Sequence, residues 1–249
     1  MVSTENRRKA LNGFTKRLLS SIRWDVRLQF RQGFYYVSAV VAVLFIVLAK
    51  QLGEIDWSLW WPVLILENLV VNSFFFMASL VLLEKGEGTI EAQVVTPLRP
   101  GEYLLSKALS LGLLSLFESL LMVVVVTGVQ FNWLLLLAGI GLLVTFYGLY
   151  GFVAVSNYDS IGDFILPSVV WIFWFSLPLL YYFGLWQHWV MFLHPLQPML
   201  VLLQAAFADV PAWQIGYGLL YAGLWVWIAY WFSRRAFRRF VLRKQGVRR

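Results

Sequence analysis

The stretch LEKGEGTIEAQVVTPLRPGEYLLSK, residues Leu83–Lys107, is the most polar interior segment of a chain that is otherwise apolar. It carries four glutamates, three basic residues and two prolines between two long hydrophobic runs. A segment of this kind marks where the chain leaves an apolar environment and re-enters it. The fold follows from counting such runs on either side.

The chain has 249 residues, 60% of them hydrophobic and 13% charged, with a mean hydropathy of +0.72. Soluble domains are closer to half apolar and a quarter charged. One soluble core of this length cannot hide so much apolar surface, so the composition specifies an integral membrane protein. There is no cysteine, which excludes disulfides and thiolate metal sites. The N-terminal residues lack the apolar h-region of a signal peptide.

A membrane-crossing helix needs about 20 apolar residues. Six runs qualify, at about Phe34–Ala49, Trp60–Leu83, Ala108–Val129, Trp133–Val155, Phe164–Tyr182 and Ile215–Phe232. Only Gln130, Phe131 and Asn132 lie between the third and fourth, which forces a tight hairpin. Eight Lys/Arg precede the first run, three lie within 84–107 and eight follow the last, leaving Lys50 alone on the other side. This 19-to-1 split places both termini and the quoted loop in the cytoplasm. The expected fold is all-α with six transmembrane helices.

Two further segments complete that expectation. Over residues 10–32 a helical projection gathers Phe14, Leu18, Leu19, Ile22, Val26 and Phe30 in one arc of about 160°, with Lys16, Arg23, Arg27 and Arg31 opposite. Asp25 alone falls inside the apolar arc. This is the pattern of a basic amphipathic helix at the membrane surface. Residues 184–212 contain no Lys or Arg, yet are too apolar for a free loop and are broken by Pro195 and Pro198. They predict two short re-entrant helices on the outer side, hinged at His194, Pro195 and Pro198. A seventh full span competes with that reading, but it would put the arginines of the tail, 233–249, outside. The chain then forms a single transmembrane domain over 1–249.

No GxxxxGK[ST], HExxH or GxSxG motif occurs, so the chain by itself offers neither a phosphate loop nor a hydrolytic centre. His188 and His194 have no carboxylate close in sequence and are expected to hydrogen-bond at the interface rather than hold a metal. The protein is not expected to be an enzyme or to bind a cofactor. Glu67 and Glu118 lie within spans, where a charge costs about 2.5–3.5 kcal/mol and must face protein or water. With Asn68 and Asn72 they form a polar strip that either lines a substrate path or holds helices together. Trp171 and Trp174, three residues apart in the fifth run, could border the same path or merely pack.

Thr89–Val95, bounded by Gly88 and Pro97, predicts a short helix on the cytoplasmic face, capped by Thr89 and favoured by Glu91 in its first turn. Glu84 and Glu91 lie seven residues apart and could face one side. The run Glu84-Lys85-Gly86-Glu87-Gly88-Thr89-Ile90-Glu91, then Thr96-Pro97-Leu98 and Glu102-Tyr103-Leu104-Leu105-Ser106-Lys107, resembles the signature of the type-2 ABC exporter permeases, approximately E-R-E-x-G-T-L-E, T-P-L/V and E-x-L-x-G-K. Gly86 and Ser106 depart from it. The segment His194-Pro195-Leu196-Gln197-Pro198 is similar to the family's N-P-L-T-Y, with Pro198 at the tyrosine.

The resemblance implies a permease that pairs with a second permease, identical or not, and with cytoplasmic ATPase subunits that bind the ATP and magnesium. Glu84, Glu87, Gly88, Thr89, Ile90, Glu91, Thr96 and Pro97 would then couple to the ATPase. The expected cargo is a hydrophobic or amphiphilic small molecule, drug or lipid-like, exported across the plasma membrane. The alternative is a proton-coupled secondary transporter using Glu67 and Glu118. It predicts matching halves, and residues 34–130 and 133–232 show no convincing repeat.

Overall fold

The computed structural model describes residues 2–53, 55–88 and 100–246, with side chains described for 14–53, 55–88 and 101–239. Thr89, Ile90, Glu91, Thr96 and Pro97, with the short helix expected there, lie outside the described residues. The helices are α1 (Val2–Arg31), α2 (Phe34–Gln51), α3 (Trp57–Leu69), α4 (Phe76–Gly86), α5 (Pro100–Thr127) and α6 (Trp133–Val155). They continue as α7 (Ile161–Ser176), α8 (Pro178–Tyr182), α9 (Gln197–Phe207) and α10 (Ala212–Gly246). A π-helical turn, Val70–Phe75, joins α3 to α4, and a 3-10 turn, Trp189–Leu193, precedes α9. No strand occurs among the described residues.

Among the described residues, six helical segments are long and apolar enough to cross a membrane: Phe34–Gln51, Trp57–Gly86, Gly101–Thr127, Trp133–Val155, Ile161–Tyr182 and Ala212–Arg239. The protein is therefore an all-α, multi-pass membrane protein. The second and last spans run further than hydropathy alone draws them. The third starts at Gly101 rather than Ala108, because the polar residues at its base are paired inside the bundle.

The helix α6 is central, packed against α5, the π turn, α4, α9 and α10. Its Gly151 lets the π turn approach so closely that a Cβ there would lie 2.7 Å from the Phe74 carbonyl oxygen. At the periphery, α2 and α7 turn apolar side chains outward, with Leu166 79% exposed and Phe173 72% exposed. Between α1 and α2 the chain turns at Gly33, whose φ of 83° is the left-handed conformation that glycine adopts without strain.

One end of the bundle gathers the end of α4, the start of α5, the link between α6 and α7 and the turn between α1 and α2. There Lys85 pairs with Asp159 at 2.6 Å, and Arg31 lies 3.8 Å from Glu87. The opposite end holds the Gly128–Asn132 hairpin and the apolar segment around α9. Asp56 caps α3 there, accepting from both the amide and the hydroxyl of Ser58, and those hydrogen bonds hold its carboxyl below the usual range.

The segment 184–212 is not a seventh span. Its helix α9 has 11 residues, about 16 Å of rise. Nine of those residues are buried, against α3, α6 and α10. Only one of the two helices expected there is α-helical; the other is the 3-10 turn. The break between them falls at His194–Leu196. The Tyr217 and Tyr221 hydroxyls of α10 donate to the Phe192 and Leu193 carbonyls and tie that turn down.

Candidate functional site

At the charged end, α1 crosses the base of α5 and contributes side chains that the apolar arc of its sequence did not anticipate. The inward face of α1 carries Asp25, Leu28 and Gln29, while Leu19, Trp24 and Phe30 are exposed. Asp25, the exception to the apolar pattern, accepts from Lys107 Nζ at 3.0 Å and from Ser106 Oγ at 2.7 Å. Gln29 donates to Ser110 at 2.7 Å, and Arg17 pairs with Glu102 at 2.7 Å.

Lys107 is the hub of this network. Its ammonium also donates to Glu84 Oε1 at 2.5 Å and lies 4.8 Å from the centre of the Tyr103 ring, and the residue is 0% exposed. The Tyr103 hydroxyl donates to the other oxygen of Glu84 at 2.7 Å. Three pieces of chain meet here: α1, the end of α4 and the start of α5. Two carboxylates, Asp25 and Glu84, share the one ammonium of Lys107. A buried charge left unpaired costs several kcal/mol, which is why each member is hydrogen-bonded at several positions.

Glu84 is buried at the root of the loop, where it reaches Lys107, and Glu91, expected to face the same side, lies outside the described residues. Glu87 is the glutamate of that pair of turns that reaches the surface, beside Arg31. Gly88 follows it with φ 69°, closing α4 in the left-handed conformation common after a helix end.

Deeper in the spans the predicted polar strip divides. Asn72, in the π turn, donates to Glu118 of α5 and to Asn68 Oδ1, and accepts from Ser38 of α2 at 3.2 Å. Beside it, Ser73 and Ser115 are 3.2 Å apart. Glu67 is separate from this group: its Oε1 accepts from Ser176 of α7 at 3.1 Å. A π turn widens the helix and is frequent at functional sites; here it presents Asn72 to two neighbouring spans at once.

Trp171 and Trp174 both border a largely apolar groove of about 550 Å³, together with Phe146, Tyr150, Trp225 and Pro195. Trp171 meets Tyr150 edge-on at 5.1 Å, and Trp174 lies 4.9 Å from the ring of His194. Of the expected hinge residues, Pro195 borders the groove and His194 lies beside its Trp174. His194 Nδ1 accepts from the Leu196 amide, and burial pushes the imidazole down to about 4. Pro198 is buried in the first turn of α9. No group of three or more His, Asp or Glu that could hold a metal occurs among the described residues.

Residues 16–245 match the model of the fluoroquinolones export permease protein family. The chain belongs to that family. This permease is also similar to the fluoroquinolones export permease proteins of two Mycobacterium tuberculosis strains, CDC 1551 and H37Rv. Each is 31% identical over 234 residues, which is 93% of the permease and 99% of the relative.

Several residues of the basal network in the permease were not singled out from sequence. Lys107 closes the signature and Asp25 breaks the amphipathic arc, so each carried a signal. An acid on an apolar face and a lysine at the mouth of a span are both costly alone and therefore candidates for each other. Ser38 carried none.

Proposed function

We propose that this permease is the membrane subunit of an ATP-driven exporter of the type-2 ABC kind. It moves a flat, amphiphilic drug of the fluoroquinolone class out of the cytoplasm or the inner leaflet. ATP and magnesium are bound by a separate cytoplasmic ATPase subunit, and a second permease, identical or not, completes the pathway. The observation that carries the coupling half of this reading is the closure of Glu84 on Lys107. It fastens the end of α4 to the start of α5, and through Asp25 to α1, so a push delivered between them would reach the second and third spans as one body.

The 19-to-1 distribution of basic residues supports a plasma-membrane orientation with both termini and the loop in the cytoplasm. Helix α1 then lies along the inner leaflet, and α9 dips in from the outer side. The names of the relatives support the drug class. The aromatic groove offers planar faces for stacking a ring system, and Glu67 and Glu118 favour a cargo with an amino group.

Co-expression with a candidate ABC ATPase subunit tests this reading. The pair should co-purify and hydrolyse ATP, and Glu91→Lys should uncouple hydrolysis from transport, because it reverses charge at the face expected to meet the partner. Measurable nucleotide binding by the isolated permease would count against it.

A further inference from the structure

A cavity of about 320 Å³ opens between the C-terminal end of α6 and the basic stretch of α10. Its volume is at the lower end of the range of small-molecule sites, about 300–1,000 Å³. Its two sides differ in kind. Trp231, Phe232 and Val153 make an apolar wall, while Arg235, Arg239 and Asn157 make a polar mouth. Arg235 and Arg239 are four residues apart on α10, so they share one face of the helix, and both are exposed. Among the described residues no carboxylate pairs with either, and the Asn157 side chain makes no hydrogen bond. The Arg235 guanidinium lies 5.6 Å from the centre of the Trp231 ring. A guanidinium held over an aromatic face keeps its N–H edges free, and those edges fit phosphate oxygens two at a time.

We propose that this cavity binds an anionic phospholipid of the phosphatidylglycerol type, with the phosphate at Arg235, Arg239 and the Asn157 amide and the glycerol backbone against Trp231 and Phe232. Net charge selects the headgroup. Arg234 and Arg238 flank the mouth on the adjoining face of α10, beside Trp231 and Arg235, and they too have no carboxylate partner among the described residues. The carboxylate nearest to Asn157 in sequence, Asp159, pairs with Lys85. A choline or ethanolamine headgroup would bring its own cation among four guanidinium groups, where like charges repel. A glycerol headgroup brings no cation and leaves the whole phosphate charge for the arginines.

The source is a lipid rather than a soluble phosphate because of where the mouth lies. Helix α10 passes from apolar to basic within a single turn, at Trp231-Phe232-Ser233-Arg234-Arg235. Trp231 is 48% exposed and Phe232 50% exposed, and aromatic side chains at the end of a span mark the headgroup level of a bilayer. Val153 and Phe232 also line the aromatic groove of about 550 Å³. An apolar track therefore leads from the phosphate position into the span, as an acyl chain needs and a free phosphate does not. The inference rests on the membrane embedding of the fold and not on the transport reading, so either can fail alone.

The test uses the full-length permease, purified in detergent and offered equimolar phosphatidylglycerol, phosphatidylethanolamine and phosphatidylcholine of one acyl composition. Retained lipid is read by native mass spectrometry. Phosphatidylglycerol should be retained about tenfold over the other two, the ratio expected of one good charge-assisted contact. Arg235→Gln with Arg239→Gln should remove that preference. Arg234→Gln with Arg238→Gln, the same change of charge on the adjoining face, should keep most of it. None of the four arginines makes an ion pair among the described residues, so the thermal midpoint should be unchanged in both double variants. Equal retention of the three lipids, a preference for phosphatidylethanolamine, or an equal loss in both double variants would overturn the proposal. So would displacement of the lipid by glycerophosphoglycerol at equal concentration, which would assign the site to a soluble anion.

Discussion

Glu84 and Lys107 stand 23 residues apart in sequence and 2.5 Å apart in space, with 0% of the Lys107 side chain exposed. They are the first and last residues of the motif that resembles the type-2 exporter signature, so the motif closes on itself. Ser106, which departs from that signature, supplies a hydrogen bond to Asp25 and so recruits α1 to the same point. The departure is therefore a third attachment rather than a defect.

Replacing the hub alone should be more damaging than replacing the whole cluster. Lys107→Met removes the ammonium that Asp25 and Glu84 share and should cost about 3–5 kcal/mol. Adding Asp25→Asn and Glu84→Gln removes their charges and should recover most of the thermal stability in detergent. Transport by the triple variant should stay impaired, since the three helices are no longer tied by charge. A triple variant as unstable as Lys107→Met would show that the pairing is not what Lys107 supplies.

The π turn is held by one hydrogen-bond set, which makes Glu118 divisible into shape and charge. Glu118→Gln keeps an oxygen to accept from Asn72 and should leave thermal stability nearly unchanged. Glu118→Ala takes away one of the two acceptors of the buried Asn72 amide, leaving it Asn68 alone, and should cost about 1–3 kcal/mol. If the carboxylate also meets the cargo, Glu118→Gln should lower export of drugs bearing an amine more than export of neutral ones.

The approach of α6 to the π turn predicts a contrast between two glycines. At Gly151→Ala the new methyl meets the Phe74 carbonyl oxygen at 2.7 Å, a backbone atom that must move, at a cost of about 1–3 kcal/mol. At Gly141, ten residues earlier on the same helix, nothing lies within 4 Å, and Gly141→Ala should leave the melting midpoint unchanged or slightly raised.

His194 gives the fold an acid limit. Its folded value is depressed to about 4 from the ordinary 6.5, so the neutral ring is the one the fold accommodates. The stability it contributes is complete above about pH 6.5 and is lost as pH falls through about 4, a difference of about 3 kcal/mol. The thermal midpoint should decline over that window, and His194→Gln should flatten the decline. An equal decline in both proteins would remove the histidine from the account.

Much of this architecture is legible in hydropathy. The fourth span, Trp133–Val155, is bounded as its apolar run is, and the count of six follows from the runs alone. The third span is where the sequence misleads. Glu102, Ser106 and Lys107 look like loop because a window average scores each charge separately, whereas in the fold Arg17 and Asp25 of α1 compensate them. The same blindness hides the inward face of α1. The division of Glu67 from Glu118 was equally out of reach, since it depends on which neighbouring span supplies Ser176 and which supplies Ser38. The π turn has no sequence signal that we can identify.

The central claim is that this permease moves a drug only when a partner hydrolyses ATP, and transport into sealed proteoliposomes tests it most directly. Vesicles holding the permease and its ATPase, with ATP supplied on the side of the basic termini, should accumulate a fluorescent fluoroquinolone. Accumulation should stop when the ATPase is omitted, and collapsing the proton gradient should not stop it. Drug accumulation by the permease alone, driven by a proton gradient and abolished in Glu118→Gln, would contradict the account and establish a proton-coupled transporter in its place.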